Sequence, residues 1–158
     1  LHTNNAAGSF PRLIDLGVNS NVISSAVNII MAQRLVRRLK PECRRERPLT
    51  GKEKNMVDRI LDSIVDKSLL PKSRDSIFEP IIEDEGKCDV AYSGRMGIFE
   101  AITIDKEIEE HVEARASEHE IREVAKKQGT LTLEQDGILK VLKGSTSLSE
   151  LGRVVDLE

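Results

Sequence analysis

Three groups of residues in this sequence carry side chains able to do chemistry: His2 in the polar run His2-Thr3-Asn4-Asn5, a basic run, and the two cysteines Cys43 and Cys88. An imidazole among hydroxyl and amide groups can exchange hydrogen bonds with oxyanions, or simply cap a following helix. The basic run, Arg34, Arg37, Arg38, Lys40, Arg44, Arg45 and Arg47, suits either a phosphate backbone or acidic protein surface. The two thiols are too few for a disulfide scaffold and fit a reducing cytoplasm. None of these features specifies a reaction by itself. No G-x-x-x-x-G-K-S/T loop occurs in the chain, so the backbone nest that phosphoryl transfer requires is not contained in it.

The elements that position these groups are read from composition and periodicity. A chain of 158 residues suits one ordinary domain or two small ones. With 39% hydrophobic and 32% charged residues and a formal net charge of -3, neither a disordered polyelectrolyte nor a strong nucleic-acid bias is indicated. Aromatics at 3%, with no Trp, leave an aliphatic core. No apolar run approaches the roughly 20 residues that span a bilayer, so membrane association is expected to be peripheral. The first residues lack the basic and then apolar pattern of a signal peptide and read as the inside of a longer protein.

Phe10, Leu13 and Ile14 at helical spacing predict a helix within Ala6 to Leu16, closed by Gly17. A second helix is expected from Ser20, with Val22, Ile23, Ala26, Val27 and Ile30 as its buried stripe. Gln33 to Leu39 reads as a strand, and Lys40 to Pro48 as a polar connection. Thr50 and Glu53 form a capping box ahead of Met56, Val57, Ile60, Leu61, Ile64 and Val65, the sharpest helical signal present. Ile77 to Val90 reads as an acidic loop, and Gly94 to Ile104 as a strand with both faces at least partly covered. Three more capping boxes, Ser117 with Glu120, Thr132 with Gln135 and Ser147 with Glu150, predict short helices separated by Gly129 and Gly144.

In order along the chain, Leu1-His2-Thr3-Asn4, Arg12-Leu13-Ile14-Asp15-Leu16-Gly17-Val18, Ala32-Gln33-Arg34-Leu35-Val36-Arg37-Arg38-Leu39 and Tyr92-Ser93-Gly94-Arg95-Met96-Gly97-Ile98-Phe99-Glu100 appear. Gln128-Gly129-Thr130-Leu131-Thr132 and Gly144-Ser145-Thr146-Ser147 follow. This series resembles the assembly ATPases of type II secretion and type IV pili over nearly the whole chain. The resemblance implies an α/β fold, the C-terminal part of a RecA-like P-loop NTPase core that works as a homo-hexamer. Residues 1–40 would end that core, 41–92 would be an inserted helix and degenerate zinc-type loop, 93–105 a returning core strand, and 106–158 a helical subdomain.

The family likeness implies that His2 senses the terminal phosphate of ATP, with Thr3 and Asn4 helping to place it. A neutral imidazole or a hydroxyl can bond a phosphate oxygen or the attacking water and lose that partner after hydrolysis. Arg95 matches a nucleotide-facing arginine, with Gly94 permitting close backbone approach. Its alternative is a pair with a carboxylate such as Glu100. Where the family has a glycine before the tyrosine, Ala91 stands here. The likeness also implies ATP and Mg²⁺ in the full-length protein, an inner-membrane platform protein as partner, and a cytoplasmic location peripheral to the inner membrane. No zinc is expected. Lys40-Pro41-Glu42-Cys43 and Glu85-Gly86-Lys87-Cys88 each keep one thiol of the family's paired cysteines, so Cys43 and Cys88 are expected as ordinary thiols. The basic run is expected to meet Glu79, Glu83, Asp84 and Glu85 or a ring neighbour rather than nucleic acid. His111 and His119 are expected as solvated or locally bonded side chains. Without the phosphate-binding loop the chain alone is expected to be inactive; the alternative is a non-catalytic helical interaction module, which the capped helices from Ser117 onward would suit.

Overall fold

A computed structural model describes residues 3–81, 88 and 90–157. It is a mixed α/β chain of short helices and strands. The order is α1 (Ser9–Asp15), α2 (Ser20–Ala26), β1 (Ile29–Leu39), β2 (Arg44–Pro48), α3 (Gly51–Asp62), β3 (Ser76–Pro80), β4 (Tyr92–Thr103), α4 (Lys106–Glu113), α5 (Glu118–Lys126), α6 (Leu133–Leu142) and α7 (Leu148–Leu151). Among the described residues β1 pairs with β4 and β2 with β3, giving two two-stranded sheets. The chain divides into two units, Leu1–Gln33 with Phe99–Thr132, and Arg34–Ile98 with Leu133–Glu158.

In the first unit, α2 packs on α4 and α4 on α5, and the core collects Phe10, Ile23, Ile102, Ile108, Val112 and Ile121. Caps set the helix starts. The Asp105 carboxylate accepts the Ile108 N–H at 2.9 Å, and Ser117 and Glu120 complete a reciprocal box at α5. Gly17 ends the first helical turn region with φ +86°, the left-handed position for which glycine is suited. Ile104 N–H donates to Asn28 O at 2.9 Å, closing this unit's end of the β1 and β4 pair.

In the second unit, α3 lies against α6, and α6 against α7 and β3, around Val57, Ile60, Leu61, Ile64, Ile77, Ile138 and Leu151. The expected Thr50 and Glu53 box is present at α3. β2 and β3 are antiparallel, with Arg44 opposite Pro80, Arg45 opposite Glu79 and Pro48 opposite Ser76. Prolines at the ends of both strands suit a sheet that is all edge.

Several expectations change. α2 stops at Ala26, because Val27 adopts an extended conformation (φ -100°, ψ 124°) and the β-branched Ile29 and Ile30 begin β1. The Lys40 to Pro48 connection contains a 3-10 turn at Pro41–Cys43 and then strand β2. The region expected as an acidic loop opens with strand β3, while residues 82–87 and 89 lie outside the described residues. In β4, Ile98, Glu100 and Ile102 share the buried face, Ala101 is half-buried and Phe99 is exposed. Gly94 has φ +69° with open space around it, so conformation rather than close approach calls for glycine there.

Gly129 and Gly144 both stop helices at positive φ, +71° and +69°, but a Cβ on Gly129 would meet nothing within 4 Å whereas one on Gly144 would lie 2.6 Å from Phe78 Cδ2. Gly129→Ala is expected to cost about 1 kcal/mol from backbone strain alone. Gly144→Ala should cost about 1–3 kcal/mol more, as overpacking adds to strain. Urea unfolding of the two variants checks the difference, and equal losses would refute the steric part.

Candidate functional site

The segment expected to face a nucleotide is anchored on both sides of α1's start. His2 lies outside the described residues. Thr3 is half-buried, with its hydroxyl oxygen 3.1 Å from that of Ser9, and Asn4 is exposed. Asn5 folds the loop: its Oδ1 accepts the Gly8 N–H at 2.8 Å, and its Nδ2 donates to Glu118 Oε1 at 2.8 Å. The fully buried Ala6 donates its N–H to Glu100 Oε1 at 2.9 Å. The Glu100 carboxylate, named above as a possible partner of Arg95, is thus engaged by backbone. Arg95 belongs to the other unit, on β4 directly after Gly94, and is exposed.

The basic run is largely consumed within the second unit. Arg37 donates three times to the buried Glu150, from its backbone N–H to Oε1 (3.1 Å) and from Nε and a terminal nitrogen to Oε2 (2.9 and 2.6 Å). Its guanidinium lies 4.4 Å from the centre of the Tyr92 ring, whose hydroxyl is 2.6 Å from Ser147 Oγ. Thr146 Oγ1 donates to the Arg37 carbonyl at 2.9 Å, and the Leu39 N–H donates to Ser145 O at 2.9 Å. The Gly144 to Ser147 segment is therefore a clasp on β1. Ser147 caps α7 by accepting the Glu150 N–H, but the Glu150 side chain turns to Arg37 and Arg153, so the expected reciprocal box is only half made.

Arg44 stacks 4.4 Å over the Phe78 ring and donates to Gly144 O. Arg47 pairs with Glu53 at 2.6 Å and with Glu79 at 2.5 Å, and Arg45 with Glu79 at 3.6 Å. Glu79 is thus the in-chain partner expected for the basic run, while Glu83, Asp84 and Glu85 lie outside the described residues. His111 is locally bonded, with Nδ1 2.8 Å from the Glu107 carbonyl oxygen. His119 is exposed.

The expectation of two ordinary thiols is overturned: Cys43 and Cys88 are joined as a disulfide, with their Cα atoms 5.3 Å apart. The 3-10 turn buries Cys43, its carbonyl accepts the Ile81 N–H at 2.9 Å, and Leu39, Ala91, Phe78 and Tyr92 pack around the sulfurs. The residues here do not fit a tetrahedral zinc. Sulfurs bonded to each other are not thiolate ligands, and Lys40 stands where a third would be needed. Among the described residues no group of three or more His, Cys, Asp or Glu side chains could hold a metal ion. Alkylating reagents should leave both cysteines unmodified until a reductant is added; free labelling without reductant, or one zinc per chain by elemental analysis, would contradict the disulfide.

Two carboxylates link this unit's stability to pH. Hydrogen bonds from Arg47 hold the Glu53 carboxyl at about 2, against an ordinary 4.5, over an opposing effect of burial. Burial pushes Glu150 up, but hydrogen bonds from Arg37 and attraction to its charge outweigh this and leave it lowered. Groups depressed in the folded state stabilise it above their unfolded value of about 4.5 and lose that effect as pH falls through the folded values. Stability should therefore drop between roughly pH 5 and pH 2. Glu150→Ala is expected to cost about 2 kcal/mol at neutral pH, since Arg37 is half exposed and regains some water. Urea unfolding across this pH range checks both: an acid slope no shallower in Glu53→Gln or Glu150→Ala would exclude these groups as its source.

Among the described residues no helix is long and apolar enough to cross a membrane. The model of the Type II/IV secretion system protein family matches residues 1–153. The chain is 36% identical over 155 residues to type II secretion system protein E of Aeromonas hydrophila, covering 98% of this chain and 28% of that protein. It is 37% identical over 154 residues to the type IV pilus assembly ATPase PilB of Acinetobacter baylyi, covering 98% of this chain and 25% of that one. Against PilB of Pseudomonas aeruginosa the identity is 32%, with 98% and 25% covered. The chain thus spans about a quarter of the length of these curated relatives. Its ordered motifs and this match over almost every residue make it a member of the Type II/IV secretion system protein family.

Proposed function

We propose that this chain is part of a hexameric, RecA-like ATPase that powers type II secretion or type IV pilus assembly, and that it carries peripheral nucleotide contacts rather than the phosphate-binding loop. The observation that carries the reading is the family match over residues 1–153, with relatives named as pilus assembly ATPases. Residues 1–40 and 93–105 are read as core, 41–92 as an insertion and 106–158 as a helical subdomain. The inner-membrane platform of the machine is the proposed partner, with the protein cytoplasmic and peripheral to that membrane.

ATP with Mg²⁺, when bound to the full-length protein, supplies the phosphoryl group and neutralises its charge. His2 is assigned to sense the terminal phosphate by a hydrogen bond that is lost on hydrolysis. Thr3 and Asn4 are assigned to orient it, the first with its hydroxyl and the second with an exposed carboxamide. Arg95 is assigned a nucleotide contact of its own, and its exposed guanidinium suits stacking or a phosphate oxygen.

No Walker-type loop occurs in the 158 residues, so the chain by itself is expected to hydrolyse no ATP. In the full-length protein His2→Ala should lower kcat by about 10- to 1000-fold, with a smaller effect on KM. Arg95→Ala should act mainly on KM. Steady-state ATPase assays check these expectations. Turnover by the isolated chain that disappears in His2→Ala, or wild-type kcat in full-length His2→Ala, would refute the assignment.

A further inference from the structure

We infer that Glu100 is a positioning residue for the Thr3 to Asn4 segment, acting through the backbone of Ala6. The inference rests on the nucleotide-contacting role proposed above for that segment. Ile98, Glu100 and Ile102 alternate on the buried face of β4, and Glu100 is only 9% exposed. An acid between two buried isoleucines costs desolvation that an apolar side chain would not. Its return is directional: Oε1 accepts the Ala6 N–H at 2.9 Å, and Ala6 is fully buried. A carboxylate accepting a backbone N–H where water is excluded is among the stronger protein hydrogen bonds.

Other side-chain ties among the described residues of this loop are weaker anchors. Asn5 to Gly8 is local to the loop, Thr3 to Ser9 joins the loop to the helix it leads into, and Asn5 to Glu118 is exposed. Glu118 also crowds Gly8, where a Cβ would lie 2.8 Å from Glu118 Oε2. Among these ties between described residues, that of Glu100 comes from a strand, and a site fixed to a strand is more precise than one fixed to a loop. Ala6 follows Asn4 by two residues, so the anchor sets where the chain leaves the nucleotide-facing segment. A backbone shift of about 1 Å at a reacting centre can cost on the order of 100-fold in rate.

The test uses the full-length protein. Glu100→Ala should lower kcat for ATP hydrolysis about 10- to 100-fold with KM little changed, and Glu100→Gln, which keeps an acceptor oxygen, should restore most of it. In a His2→Ala background, Glu100→Ala should lower kcat by no more than about twofold, because the group that Thr3 and Asn4 are assigned to orient is gone. Amide exchange across residues 3–8 should accelerate in Glu100→Ala and stay slow in Glu100→Gln. Equal fold losses in both backgrounds, or no recovery of kcat with Gln, overturn the inference. Unchanged exchange in Glu100→Ala overturns the anchor itself. Wild-type kcat in His2→Ala alone removes the nucleotide reading and this inference with it, even where the exchange data show the tether. Should Glu100→Ala fail to assemble, Glu100→Asp, with its carboxylate drawn back by a methylene, is measured for the same losses.

Discussion

Glu150 is 4% exposed, and in the second unit β1 and the Gly144 to Ser147 segment are arranged around neutralising its charge. A charge so placed must find a cation and further donors, or it raises its pKa and unfolds its surroundings. Arg37 supplies both the guanidinium and its own backbone N–H. That pairing fixes where β1 lies against the Gly144 to Ser147 segment, whose Ser145 and Thr146 then bond the backbone at Leu39 and Arg37. The guanidinium's free face is covered by Tyr92, and the Tyr92 hydroxyl returns to Ser147. These groups satisfy one another in a closed circuit, so loss of any member leaves another without a partner.

How much of this was legible depended on how local each cause was. The caps at Thr50 and Ser117 are legible in the sequence because a cap needs only four neighbouring residues. Ser147 and Glu150 have the same spacing, yet a distant arginine competes for the acid and wins, which no local rule registers. β2 was invisible for a related reason. Arg44–Pro48 has no apolar alternation, and its strand conformation comes from pairing with Ser76–Pro80 and from the Arg45, Arg47 and Glu79 ion pairs. The end of α2 is misjudged from the sequence because Ile30 continues the helical stripe while it and Ile29, both β-branched, already favour the strand.

His2, Thr3, Asn4 and Arg95 are candidates through the family likeness and not through their own pattern. Glu100 was noticed only as a possible partner for Arg95. The signal that marks it differently was present in the alternation: Ile98 and Ile102 flank it at a spacing of two on either side, which puts the acid on the inward face. A polar residue on an apolar face asks for a partner, and here the partner is a backbone N–H ninety-four positions away in sequence. The bond between the cysteines is not legible in the sequence, because it joins positions 45 residues apart, one of them in the turn at Pro41–Cys43.

That cross-link bridges a sequence separation of 45 and encloses β2, α3 and β3 in a covalent ring. A single peptide-bond cut anywhere inside the ring would therefore not release a piece: both parts would migrate as one species until the sulfurs were reduced. The segment that surrounds α3 can be nicked without being lost, and it gains a tolerance to proteolysis that the open-ended helices α4 and α5 do not share.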